Sequence, residues 1–92
     1  MWNSVKQGWG ITLDAKSDTL YVTDGSDKIT RVNAKTLEEQ SQMTVYNKDG
    51  SPQSLLNELE FVGGYIWANI FYQNAMYKIC PCTGAILERI DF

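Results

Sequence analysis

The sequence predicts an all-β fold of two four-stranded antiparallel units. Three observations support this prediction. Short apolar runs alternate with turn residues along the whole chain, and no segment keeps a helical apolar period beyond about one turn. In addition, the two halves of the chain resemble each other. The length of 92 residues suits one small domain with a modest hydrophobic core.

Four strands are predicted in the first half. The segments GITL, TLYVTD and KITRV are separated by turn-forming residues, of which Asp24-Gly25-Ser26-Asp27 is the clearest group. QSQMTV is predicted as the fourth strand. The segment AKTLEEQSQM comes closest to a helical pattern. It is interpreted as a turn followed by a strand, because Leu37 and Met43 stand between turn residues and a strand-like end.

Four more strands are predicted in the second half, after the polar loop YNKDGSPQS. ELEFV and YIWANI flank Gly63-Gly64 and form a predicted hairpin. AMYKI and AILERI follow, joined by the turn Cys80-Pro81-Cys82-Thr83-Gly84. Proline presets φ in such a turn and glycine accepts a positive φ. The two cysteines are therefore interpreted as turn residues, since they lack the C-x-x-C spacing of zinc ribbons and redox motifs.

The two halves align along two strand segments. Leu20-Tyr21-Val22-Thr23 aligns with Ile66-Trp67-Ala68-Asn69, an offset of 66 − 20 = 46 residues. Ile29-Thr30-Arg31-Val32 aligns with Met76-Tyr77-Lys78-Ile79, an offset of 76 − 29 = 47 residues. Repeats of about 40–50 residues with four short strands each are typical of β-propeller blades.

The repeat predicts a partial β-propeller over residues 1–92. Residues 1–46 form the approximate first blade unit and residues 47–92 the second. Two blades leave open sheet faces and edge strands. We therefore expect this chain to associate with the remaining blades of a propeller or with copies of itself.

The composition excludes several kinds of site. There is no histidine, which excludes Ser-His-Asp and Cys-His nucleophilic sites and histidine-ligated zinc on this chain. The net charge is −3 and lysines and arginines do not cluster, so no nucleic-acid partner is predicted. No apolar run approaches the roughly 18–20 residues that span a bilayer, so no membrane partner is predicted. The first ten residues, MWNSVKQGWG, lack the apolar segment of a secretory signal.

The predicted hairpin carries the polar residues of interest. Strand alternation places Asn57, Leu59 and Phe61 on one face and Glu58 and Glu60 on the other. The default interpretation of the two carboxylates is a solvated face, with a general base as the alternative. A buried asparagine needs partners, which can be backbone groups or a ligand.

The pattern alone leaves alternatives open for four further residues. Trp9 could cap a blade core or line a binding site, and Asn57 could close a loop through backbone hydrogen bonds or face a ligand. Trp67 is interpreted as a core residue. On the other strand of the hairpin Asn69, like Asn57, is a polar exception between apolar neighbours.

Several motifs together resemble one family. The LNELEFV segment at Leu56–Val62 and the GYIWAN segment at Gly64–Asn69 are specific at this spacing, and three further matches accompany them: Gly8-Trp9-Gly10, Thr23-Asp24-Gly25-Ser26 and the turn at Cys80–Gly84, where the family usually has Asp-Pro-x-Thr-Gly. The chain resembles the plant- and bacterial-type glutaminyl-peptide cyclotransferases, which are five-bladed β-propellers and are often secreted or extracytoplasmic. The resemblance covers nearly all 92 residues.

The resemblance implies an acyltransferase activity on peptides or proteins with an N-terminal glutamine. The α-amine attacks the side-chain carbonyl of the same glutamine and expels ammonia, which leaves pyroglutamate. The family reaction needs no metal, and no cofactor is expected. One carboxylate must move a proton, and one donor must stabilise the developing oxyanion.

The resemblance also assigns roles to individual residues. Asn57 is expected to contact the substrate carbonyl and its oxyanion, and Trp9 and Phe71 are expected to bind the substrate. Phe71 stands where the family commonly has tryptophan, so it keeps an apolar wall and loses the indole N–H donor. The catalytic glutamate of the family falls upstream of the Gly-Trp-Gly motif, and Glu58 and Glu60 do not replace it.

Two functional hypotheses follow. In the first, the chain is part of a glutaminyl cyclotransferase-like propeller and is inactive alone. In the second, it is a non-catalytic, propeller-derived module that serves as a binding or assembly subunit, because folds can outlast their functions.

Overall fold

The structure is a computed structural model that describes residues 10–54, 56–70 and 74–91. Its eight strands are β1 (Gly10–Asp14), β2 (Thr19–Thr23), β3 (Lys28–Asn33), β4 (Glu39–Thr44), β5 (Leu56–Val62), β6 (Tyr65–Ile70), β7 (Ala75–Ile79) and β8 (Ile86–Asp91). They form two four-stranded antiparallel sheets, in the orders β1-β2-β3-β4 and β5-β6-β7-β8. This confirms the predicted fold of two propeller blades. In the part of the chain that is described, no helix is long and apolar enough to cross a membrane.

The predicted repeat appears in the backbone of corresponding turns. After β3, the Leu37 N–H donates to the Asn33 carbonyl at 2.7 Å; after β7, the Gly84 N–H donates to the Cys80 carbonyl at 2.9 Å. Leu37 and Gly84 both have positive φ, of 63° and 83°. A leucine in this left-handed conformation is strained, whereas a glycine is not. The two blades therefore share one turn geometry built from different residues.

The hydrophobic core lies between the two sheets. The Tyr21 and Phe61 rings stack across it, with centroids 5.7 Å apart and ring planes 11° apart. The Phe61 N–H donates to Thr12 Oγ1 at 2.9 Å. Buried members of the core include Tyr21, Ile29, Met43 and Val45 before the loop, and Leu56, Ile66, Ala68, Ile70, Ala75, Tyr77, Ile79 and Ile86 after it. Alternation within each strand thus turns one face of each sheet toward the other sheet.

Arg31 links the first sheet to the turn that contains both cysteines. Its guanidinium donates to the Pro81 carbonyl at 2.6 Å and to the Cys82 carbonyl at 3.3 Å. A third bond reaches Ser41 Oγ at 3.0 Å. Because a guanidinium carries several donors in a fixed fork, one side chain can hold two backbone carbonyls of the neighbouring blade.

Gly84, in the turn between β7 and β8, packs against the start of the segment that connects the two sheets. The Tyr46 N–H donates to the Gly84 carbonyl at 3.1 Å, and the Ile86 N–H donates to the Tyr46 carbonyl at 3.0 Å. A β-carbon on Gly84 would lie 2.1 Å from the Thr44 carbonyl oxygen. The φ of 83° and this close approach both require glycine here.

Candidate functional site

Strand β5 contains a β-bulge at its N-terminal end. The pairing of β5 with β6 shifts between Leu56 and Leu59, so that Asn57 and Glu58 together lie opposite Asn69. Leu56 is buried in the core and Leu59 packs against it. The burial of Asn57, Leu59 and Phe61 still alternates with the exposed Glu58 and Glu60, although the extra residue interrupts the pairing with β6 at this point.

The first sheet contacts the backbone of this bulge through two residues. Thr23 is 1% exposed, and its single hydroxyl proton is shared between the Asn57 carbonyl at 3.1 Å and the Leu56 carbonyl at 3.3 Å. Gly10, the partner of Thr23 in the β1–β2 pairing, packs against the same place. A β-carbon on Gly10 would lie 2.0 Å from the Asn57 carbonyl oxygen. The glycine is therefore required by the space between the two sheets.

Asn69 contacts the bulge from the strand beside it. The Glu58 N–H donates to Asn69 Oδ1 at 2.7 Å. The sequence left backbone groups or a ligand as alternative partners for this asparagine, and for its oxygen the partner is a backbone group. Strand alternation alone does not predict this bond. It forms because the bulge leaves the Glu58 N–H without a partner in the β-ladder.

The side chain of Asn57 is half-buried. Among residues 10–54, 56–70 and 74–91, no hydrogen bond engages its amide group. Its backbone carbonyl is held by Thr23, as given above. An asparagine amide offers two N–H donors and one acceptor oxygen. The site therefore combines a fixed backbone with an amide side chain that the described residues leave available.

A shallow cleft lies next to the bulge, on the face of the second sheet that points away from the first. It has a volume of about 210 Å³ and is lined by Glu58, Leu59, Glu60, Trp67, Asn69 and Met76. Glu58 and Glu60 are both exposed, which confirms the predicted solvated face. The carboxylates contribute charge to the cleft, while Trp67 and Met76 give it an apolar floor.

Trp67 occupies this outward face. The prediction that it belongs to the core is wrong, since it alternates with the buried Ile66 and Ala68 and is itself half-buried. The Lys78 ammonium lies 5.9 Å from the centroid of the Trp67 ring and 4.2 Å from that of Tyr65. A cation near two aromatic rings is held by their quadrupoles.

The two other predicted site residues, Trp9 and Phe71, lie outside the described residues. The residue after Trp9, Gly10, packs against Asn57. The residue before Phe71, Ile70, is buried and pairs with Leu56. Across the described ranges, no three acidic or cysteine side chains come close enough together to hold a metal ion.

The Cys-Pro-Cys segment has the turn role that the sequence predicts. In the first blade, Asn33 Oδ1 accepts the N–H groups of Lys35 at 2.8 Å and Thr36 at 3.0 Å. Cys80 occupies the corresponding position in the second blade. A hydrogen bond with the Thr83 side chain, followed by bonds from backbone N–H groups, lowers the pKa of the Cys80 thiol. Both turns are closed by the backbone, through the bonds from the Leu37 N–H to the Asn33 carbonyl and from the Gly84 N–H to the Cys80 carbonyl.

Comparison with known proteins extends the motif evidence to the whole chain. The sequence profile of the glutamine cyclotransferase family matches residues 2–92. The chain belongs to this family. A glutaminyl-peptide cyclotransferase of Arabidopsis thaliana is 32% identical over 87 residues, which cover 94% of this chain and 26% of the relative.

Solved structures agree with this family assignment. A glutaminyl cyclase of Myxococcus xanthus matches with a TM-score of 0.84 and 31% identity, covering 91% of this chain and 35% of the bacterial protein. Sqt1 of Saccharomyces cerevisiae matches with a TM-score of 0.63 and 11% identity over 89% of this chain and 20% of its own, a likeness of fold alone. The chain therefore spans about a quarter of its plant relative and about a third of its bacterial relative.

Proposed function

We propose that this chain supplies two adjacent blades to a glutaminyl-peptide cyclotransferase, an acyltransferase that converts N-terminal glutamine to pyroglutamate and ammonia. The observation that carries the proposal is the half-buried Asn57, which lies in the family segment Leu56–Val62. Thr23 donates to its backbone carbonyl and so fixes the backbone next to the amide side chain. Family membership supports the reaction class. The lengths of the relatives support the view that a complete propeller is needed for activity.

In the proposed reaction, Asn57 stabilises the charge that develops on the substrate. The α-amine of the glutamine attacks the carbon of its own side-chain amide, and a new C–N bond forms. The carbonyl oxygen becomes an oxyanion, to which the Asn57 N–H donates. The bond to the amide nitrogen then breaks, and a proton taken from the attacking amine leaves with it as ammonia.

The proton transfer needs a carboxylate that another part of the propeller supplies. Glu58 and Glu60 are exposed on the outward face of the second sheet, so we assign them to the scaffold. Trp9 and Phe71 are proposed to bind the folded substrate through their apolar rings, which favours the cyclised geometry by holding amine and amide together.

The partner of the outward face is proposed to be the next blade. In the repeat, Trp67 corresponds to Tyr21 and Lys78 corresponds to Arg31. Tyr21 stacks on an aromatic ring of the following blade, and Arg31 donates to carbonyls of its turn. We therefore expect Trp67 and Lys78 to make the same two contacts with a third blade.

A non-catalytic binding or assembly subunit is the second candidate. Phe71 favours it, because the family commonly has tryptophan at that position. The open face around Trp67 also fits a protein whose role is association. Under this hypothesis the scaffold residues keep their contacts and the complete assembly releases no ammonia.

Ammonia release by a complete propeller that contains this chain tests the proposal. The substrate is a peptide that begins with glutamine, and the matched control is the same peptide with an acetylated α-amine, which cannot attack. We expect one ammonia per pyroglutamate from the free peptide and none from the acetylated one. A folded propeller that releases no ammonia from either peptide would support the assembly role instead.

The isolated chain provides a second comparison. We expect it to be inactive and to associate at its open faces, which light scattering detects as particles larger than one chain. A single species of monomer mass across the concentration range would contradict the proposed association.

A further inference from the structure

We infer that Gly10, Thr23 and Asn69 are positioning residues that hold the β5 bulge in one register and so orient the Asn57 amide. This inference rests on the proposed function for its catalytic consequence. Its structural part concerns only the contacts around the bulge. The three residues come from β1, β2 and β6, so the bulge is held from both blades.

A bulge needs such contacts because it leaves backbone groups without ladder partners. Here these groups include the Glu58 N–H and the carbonyls of Leu56 and Asn57. Movement of the bulge by one residue would exchange the faces of the side chains it passes. The Asn57 side chain would then point in a different direction. The contacts that satisfy these groups in the observed register therefore also fix the direction of the Asn57 side chain.

Asn69 satisfies the donor of the bulge. Since a backbone N–H can only donate, the Asn69 atom at 2.7 Å must be its oxygen, and the NH₂ group of Asn69 takes no part. An aspartate at this position would keep the acceptor, whereas an alanine would remove it. This difference separates a positioning role from a role in which Asn69 donates to the substrate.

Thr23 and Gly10 fix the acceptors of the bulge. The buried Thr23 hydroxyl lies within 3.3 Å of two successive carbonyls, a geometry that only the bulged backbone presents. Gly10 allows the two sheets to approach closely here. A β-carbon at this position would lie 2.0 Å from the Asn57 carbonyl oxygen and would push it away. The Thr23 hydroxyl and the close backbone of Gly10, which are neighbours in the first sheet, leave the Asn57 carbonyl little freedom to move.

The catalytic consequence follows from how sharply reaction rates depend on geometry. A misplacement of about 1 Å in a catalytic group can reduce the rate about 100-fold. Loss of one positioning contact should therefore lower kcat while KM changes little, because the affected interaction forms mainly in the transition state.

The test compares Asn69→Ala with Asn69→Asp in the complete propeller. Asn69→Ala should speed deuterium exchange of the Glu58 N–H about 10-fold, the effect of losing one hydrogen bond, and lower kcat by about 10- to 100-fold. Asn69→Asp should restore both to within about 3-fold at about 0.5 M salt, which screens the neighbouring carboxylates. If Asn69→Asp is as slow as Asn69→Ala, or if Glu58 exchange is unchanged in Asn69→Ala, the positioning role is overturned.

Thr23→Val provides a second variant, which keeps the side-chain shape and removes the hydroxyl. It should also lower kcat with KM unchanged, and Thr23→Ser should restore it. Thr30→Val is the matched control: Thr30 is 5% exposed in the same sheet, and its hydroxyl contacts Gln42 and not the bulge. Equal kcat values in Thr23→Val and Thr30→Val would overturn the inference. This comparison still decides the question if Asn69→Ala does not fold.

The outcomes also separate this inference from the proposed function. If Asn57→Ala keeps full activity, the proposed function of Asn57 fails whatever the exchange data show. If Asn57→Ala is inactive while Asn69→Ala and Thr23→Val keep full activity, only the positioning inference fails.

Discussion

The contact of Arg31 with the neighbouring blade should be a main contributor to the stability of the isolated chain. Arg31→Met keeps an unbranched apolar side chain and removes two bonds to the Pro81 and Cys82 carbonyls. A hydrogen bond from a charged donor contributes about 1.5–3 kcal/mol. Because Arg31 is partly exposed, we take about 1 kcal/mol for each bond, so the variant should lose about 2 kcal/mol in the free energy of unfolding.

Thermal unfolding of the isolated chain measures this loss, which corresponds to a fall in Tm of about 10 °C for a chain of this size. Measurement of Tm at several protein concentrations separates the effect of association from the effect of the substitution on stability. The matched control is Lys78→Met, the corresponding position in the second blade. Lys78 pairs with the exposed Glu88 at 3.4 Å and lies 4.2 Å from the centroid of the Tyr65 ring, so the control should lose about 1 kcal/mol. Equal losses in the two variants would refute the reasoning.

Three further predictions use the same structure. In a complete propeller, Lys78→Met should become about as destabilising as Arg31→Met, as measured by denaturant unfolding, because Lys78 then meets a third blade; a loss that stays at the value for the isolated chain contradicts this. Gly84→Ala should destabilise the chain by at least about 3 kcal/mol. The control is Gly50→Ala, which should cost about 1 kcal/mol because Gly50 has a similar φ but open space around it. Equal losses would contradict the role of the contact with Thr44. At pH 7.5, Cys80 should react with iodoacetamide faster in the parent chain than in Thr83→Val, as mass spectrometry can follow. The lowered pKa gives a larger thiolate fraction at this pH, and loss of the Thr83 hydroxyl raises the pKa again; equal rates would contradict this.

The strands and the repeat could be predicted because they depend on local signals. Alternating apolar residues and turn residues mark all eight strands, and the offset between the blades marks the repeat. The turn role of Cys80 could also be predicted from its alignment with the Asn33 turn. The strand and turn signals lie within a few residues of the features that they predict, and the repeat is visible from a comparison of the two halves of the sequence.

The details of the site could not be predicted, because they depend on contacts between distant segments. The bulge at Asn57 follows from the pairing of β5 with β6 and from contacts with Gly10 and Thr23, which lie 47 and 34 residues earlier (57 − 10 and 57 − 23). The prediction that Trp67 is a core residue fails for a similar reason. Its strand is apolar on both faces, and only the packing of the two sheets decides which face forms the core.

The activity of Asn57→Ala in a complete propeller tests the central claim most directly. The measurement is kcat/KM for ammonia release from a glutamine-initiated peptide, with Gln40→Ala on the exposed strand β4 as the control for loss of an amide side chain. Loss of one oxyanion donor should lower kcat/KM by about 100-fold or more, while Gln40→Ala stays at the parent value. A parent-like kcat/KM in Asn57→Ala would contradict the assignment of Asn57 to the reaction.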